Sequence, residues 1–229
     1  MAIWQMRRSA VLVVLALAIS GAGCGSGEGS GGSIPRSLSR AESAAEDTIG
    51  LVLGGKRDEA VRSATTLDNL AHSDLEKDLG GTATKEELGE FQARAAELAR
   101  MAPEGEPIEV ALAANRAFEL IARFYGRFET EVPGSVMQLD HLDFEAKLRA
   151  LARELEPVRS TVEQLSKTWA EVSQRLPLGE KAAATRQQFE AHVTAMAALV
   201  AGGTDFEGMA AEAERGLELV DKLEGVFAG

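Results

Sequence analysis

One cysteine, three histidines and one tyrosine among 229 residues leave few side chains for redox, metal or nucleophilic chemistry. With Cys24 alone, no intrachain disulfide can form and a Cys-x-x-Cys-His haem attachment is excluded. Aromatic residues make up 5% of the chain, and the alternating β-branched runs that mark half-buried strands are missing. Basic residues are the minority, 24 against 36 acidic ones, for a net charge of -12. Non-specific nucleic-acid binding, which needs the opposite balance, is therefore not expected. Gly-x-Ser-x-Gly, a Walker loop and His-Glu-x-x-His are all lacking, so the chain gives no sign of an enzyme. Gly27 to Gly32 spells Gly-x-Gly-x-x-Gly, but no strand precedes it and no βα unit surrounds it, so it reads as linker rather than nucleotide loop.

No apolar run is long enough to cross a membrane permanently. The longest, Ala10 to Ile19, falls well short of the roughly 20 residues a transmembrane helix needs. It follows Arg7-Arg8 and precedes Ser20-Gly21-Ala22-Gly23-Cys24, which is the anatomy of a secretory signal peptide over residues 1–23. Ala22-Gly23-Cys24 resembles the lipobox of bacterial lipoproteins. The resemblance implies diacylation of the Cys24 sulfur, cleavage before Cys24 and acylation of the new amino terminus. Two or three chains anchor firmly where one does not. Gly21 stands where the pattern usually carries an aliphatic residue, and ordinary signal-peptidase cleavage after Ala22 is the alternative. Gly25 follows the cysteine with no aspartate nearby; by the sorting rule of enteric bacteria this implies an outer-membrane anchor facing the periplasm. Residues 24–34 add a Gly/Ser-rich tether with a reach of roughly 15 to 18 Å.

Residues 35–229 carry helical apolar spacing almost throughout, predicting an all-α antiparallel bundle of six to eight amphipathic helices joined by Gly or Pro turns. The clearest stretch predicts a long heptad-patterned helix around 137–176. Its seam runs Phe144, Leu148, Leu151, Leu155, Val158, Val162, Leu165, Trp169, Val172 and Leu176, as in a coiled coil that closes within one chain or across two. Pro157 predicts a kink or break within it. Asp58 reads as the cap of a helix running on through Leu75. Asp143-Phe144-Glu145 and Asp205-Phe206-Glu207 hint at an internal repeat, though a cap followed by a new helix gives the same letters by convergence.

Two histidines have a glutamate four residues on, His72 with Glu76 and His141 with Glu145, a spacing that puts both side chains on one helix face. Such pairs can ligate a metal when other helices add ligands. The plainer reading of His141, which falls on the seam, is a core-edge histidine bonded to a backbone carbonyl or to Glu145. Arg116, Arg123 and Arg127 form a basic stripe beside Phe124 and Tyr125 in an otherwise acidic chain. Glu119 and Glu131 stand at pairing distance along the helix from Arg123 and Arg127; a partner or anion surface is the alternative. The sequence thus reads as a membrane-anchored lipoprotein whose bundle is a non-catalytic interaction or structural module with a protein partner. The second reading is a periplasmic metal-handling bundle; no cofactor is otherwise implied.

Overall fold

The computed structural model describes residues 33–229. The segment read as a signal peptide, Cys24 and most of the stretch read as a tether lie outside the described residues. Among the described residues there are nine helices and no strand: α1 (Arg36–Leu53), α2 (Arg57–Ala71), α3 (Asp74–Leu79), α4 (Lys85–Met101), α5 (Pro107–Tyr125), α6 (Gly134–Leu151), α7 (Leu155–Arg175), α8 (Glu180–Gly202) and α9 (Phe206–Phe227). The all-α bundle expected from the spacing is what forms, with nine described helices in place of six to eight because the heptad stretch divides in two and α3 separates from α2.

Eight of the nine helices pack as two four-membered rings placed side by side, and α3 packs on α1 and α2. In the first, α1 packs on α2, α2 on α4, α4 on α5 and α5 back on α1; the second repeats that order with α6, α7, α8 and α9. The α5–α6 contact joins the rings. This position explains why α6 is buried nearly all round and why α5 keeps only a narrow polar stripe of Glu109, Arg116, Glu119 and Arg123: each must bury one side in its own ring and another in the neighbouring one. Val110 to Ala114 are all buried in α5, and Leu139 to Phe144 all in α6.

Three corrections to the sequence reading follow. The heptad seam is two helices rather than one, and the break lies before Pro157. Residues 152–154 close α6 as a Schellman motif: the Arg153 amide donates to the Ala150 carbonyl and the Glu154 amide to the Arg149 carbonyl. Arg153 takes the left-handed conformation, φ 59°, where glycine is usual, and so gave no stop signal. Pro157 sits in the first turn of α7, where a missing N–H costs nothing. The seam then diverges, because Phe144 and Leu148 face the first ring's core while Val158, Val162, Leu165, Trp169 and Val172 fill the second. Its buried members are covered within one chain; Leu151 is 43% exposed.

The second correction concerns Asp58. Lys56 occupies the N-cap of α2, and Asp58 lies in the first turn, where it still complements the helix dipole. That helix ends at Ala71, and α3 begins afresh at Asp74. Thirdly, the Asp-Phe-Glu repeat has no structural counterpart. Asp143 is buried in mid-helix, whereas Asp205 is the N-cap of α9, its Oδ1 accepting from the Gly208 amide at 2.8 Å.

The second ring's core is divided. Towards one end Trp169 stacks on Phe189, centroids 4.4 Å apart, among Leu139, Leu165, Val220 and Leu223. Towards the other, Ala146, Val158, Met196 and Met209 pack together. Between the two apolar clusters lies a polar layer.

Candidate functional site

The polar layer is built from α6, α8 and α9. His192, fully buried, places Nε2 3.0 Å from Asp143 Oδ1 and Nδ1 3.0 Å from Glu212 Oε1. Asp143 is also fully buried, its Oδ2 without a hydrogen-bond partner, while Glu212 reaches the surface and meets Arg215 at 3.2 Å. A ring nitrogen and a carboxylate oxygen at this distance need a hydrogen between them, so the three groups share two protons. Burial works against the imidazolium, but the bonds to Asp143 and Glu212 and their charge outweigh it and hold His192 above its ordinary range. Burial also keeps the Asp143 carboxyl above the usual carboxylate range, against the pull of His192. Gly216 of α9 makes room for this carboxyl: a Cβ there would stand 2.4 Å from Asp143 Cγ.

None of these residues stood out in the sequence, although a signal was present. The α6 face Val136, Leu139, Asp143, Ala146, Ala150 and the α8 face Phe189, His192, Met196, Val200 are buried apolar stripes, each interrupted by one ionisable residue of complementary charge.

A second arrangement uses residues the sequence did single out. A cleft of about 270 Å³ opens between α5, α6 and α7, with Arg116, Glu119, His141, Glu145 and Arg149 on its walls and Ser160 and Gln164 opposite. Asn115, fully buried and overlooked in the sequence, organises its floor. Its Nδ2 donates to Glu145 Oε2 at 2.8 Å and to the His141 carbonyl at 3.3 Å, which turns Oδ1 toward His141 Nδ1 at 3.2 Å. Nδ1 therefore carries the ring proton, and Nε2 is left with its lone pair. Burial holds the His141 pKa below its ordinary value despite the nearby Glu119 and Glu145. Phe118 braces the ring edge-on, centroids 6.4 Å apart. Glu145 Oε1 receives Arg149 Nε at 2.7 Å, and Glu119 is held by Arg94 at 2.9 Å and by Arg123. Arg116 is less engaged, its nearest carboxylate being Glu97 at 3.9 Å.

The remaining site residues go elsewhere. His72 caps α2, exposed, with Nδ1 3.0 Å from the Asp68 carbonyl; Glu76 belongs to α3 and accepts from Gln92 Nε2 at 3.2 Å. They do not share a helix, because the chain breaks between them, and neither joins His141 and Glu145. Among the described residues no group of three or more His, Cys, Asp or Glu side chains is placed to hold a metal ion. Arg123 pairs with Glu119 along α5, as its spacing implied. Arg127 does not pair with Glu131: it lies beyond the end of α5 and binds Glu87 and the Thr82 carbonyl instead. Phe124 and Tyr125 are buried rather than beside a basic surface stripe. The Tyr125 hydroxyl bonds Glu42 and Ser39 of α1, and burial pushes the Glu42 carboxyl up to about 7, against the pull of Tyr125.

Comparison of the chain with known protein families, with curated proteins and with solved structures found no match.

Proposed function

We propose that the protein is a lipid-anchored lipoprotein of the bacterial envelope whose exported helical bundle is a non-catalytic interaction or structural module. The observation that carries this reading is the order of the chain: a charged and apolar leader, small residues ending in the sole cysteine, a glycine-rich tether, and then a helical bundle whose first helix starts at Arg36. An unpaired thiol in an exported protein needs a use, and acylation supplies one. The lipid keeps the bundle near one membrane and raises its effective concentration for any partner held there.

The charged surface supports a polar mode of contact. Among the described residues the large exposed hydrophobic side chains are Leu151 and Leu178, on separate loops or helix ends, so no broad apolar patch of the kind obligate partners bury is present.

Cys24→Ser removes the proposed acceptor and leaves the bundle's sequence intact. The variant, produced in a bacterial host and followed by intact-mass measurement beside the unmodified sequence, is expected to carry no acyl mass and to retain its leader, where the unmodified sequence starts at Cys24 and carries acyl mass. Identical masses apart from the one-residue change, in either processing or acylation, would overturn the anchor.

A further inference from the structure

The cleft between α5, α6 and α7 has unequal walls. Its carboxylates are already engaged: Glu145 by Arg149 and Asn115, Glu119 by Arg94 and Arg123. Its less engaged groups are the half-exposed Arg116 guanidinium, whose nearest carboxylate is 3.9 Å away, and the ring of His141, which lines the cleft with Nδ1 committed to Asn115 and Nε2 as its acceptor. A guanidinium on one wall recognises a carboxylate, and an acceptor fixed at the floor recognises an N–H or O–H donor. Asn115 sets the tautomer of His141, so the acceptor is in place before any ligand arrives, and this lowers the ordering cost of binding. At about 270 Å³ the cleft lies near the lower end of the roughly 300–1,000 Å³ typical of small-molecule sites, which limits the ligand to a small metabolite.

We propose that this cleft binds a small α-hydroxy or α-amino carboxylate, with Arg116 holding the carboxylate and His141 Nε2 accepting from the adjacent hydroxyl or amino group. The two candidate classes share that chemistry and differ only in the donor. The proposal does not depend on the lipid anchor, since both residues belong to the folded bundle.

Titration of the full-length chain in mild detergent with L-lactate, L-alanine and propionate, recorded through the imidazole ¹⁵N resonances, tests it. Lactate or alanine is expected to shift His141 Nε2 saturably in the millimolar range, and whichever does so names the class. Propionate, which keeps the carboxylate and lacks the donor, is expected to bind at least tenfold more weakly. Arg116→Ala is expected to weaken binding at least tenfold while circular dichroism and thermal melting stay unchanged, as befits a half-exposed side chain. Absence of any shift with both lactate and alanine would overturn the proposal, as would propionate binding as tightly as they do or an unchanged affinity in the Arg116 variant.

Discussion

His192→Ala is expected to destabilise the bundle by about 3–5 kcal/mol, the cost of leaving a buried charged group without its partner. In a domain of this size that lowers the melting temperature by on the order of 10 °C. The reason is local. Asp143 is fully buried and its Oδ2 already lacks a partner, so removing His192 strips Oδ1 of its hydrogen bond as well. Replacing both members with apolar groups, as in Asp143→Val with His192→Leu, removes the desolvation cost along with the bond and is expected to recover at least half of the loss. A single-variant loss below about 1 kcal/mol, the scale of an exposed ion pair, would contradict this account.

The same cluster fixes the sign of a pH dependence. His192 and Asp143 both have raised pKa values in the folded protein, so the native state holds protons that the unfolded chain releases. The His192 contribution is fully present below the unfolded histidine value of about 6.5 and that of Asp143 below the ordinary carboxylate value of about 3.9, and each is lost as pH rises through the folded value. The melting temperature is therefore expected to fall as pH rises above about 6.5, and to fall less in the Asp143→Val/His192→Leu pair. His141, with its pKa lowered, acts in the opposite sense and matters only as pH drops below about 6.5. Equal slopes in the two proteins above pH 7 would show that the cluster does not carry the dependence.

Gly216→Ala and Gly225→Ala are expected to move stability in opposite directions although both lie in α9. Alanine is intrinsically better than glycine in a helix by about 0.5–1 kcal/mol, which is the gain expected at Gly225, where a new Cβ meets nothing nearer than Lys181 Nζ at 3.8 Å. At Gly216 the Cβ would lie 2.4–2.5 Å from all three atoms of the Asp143 carboxyl group. Either α6 and α9 separate or Asp143 rotates away from His192. Overpacking of this kind costs about 1–3 kcal/mol, so after the helix gain a net loss of about 1 kcal/mol is expected. Urea denaturation of the two variants gives the comparison. A stabilised Gly216→Ala protein would mean that the carboxyl moves aside freely and that its bond to His192 carries little weight.

The structure shows where sequence reading is strong and where it fails. Helical spacing gave the class because an apolar stripe every three or four residues admits few other solutions, and the turns at Gly54-Gly55, Pro103 to Pro107 and Gly202-Gly203 are real stops. Arg116, His141 and Glu145 were singled out on chemical grounds and do meet in one cleft. What brings them together is the packing of α5 on α6, a contact between rings that no local pattern records. The buried cluster was missed for a related reason. A helix buried on two sides carries two stripes, and following the stripe through Phe144 and Leu148 concealed the one through Leu139, Asp143 and Ala146. His72 and Glu76 illustrate the converse error: a spacing of four means a shared face only if the helix continues, and it stops at Ala71.

The anchor is the central claim, and native mass spectrometry of the full-length protein, extracted gently from its own membranes, tests it most directly. The account predicts a chain that begins at Cys24 and carries the added mass of two or three acyl chains, alone or with a second protein bound. An unacylated chain beginning at Gly23 would contradict it, and a discrete metal increment would replace the interaction reading with the metal-handling one.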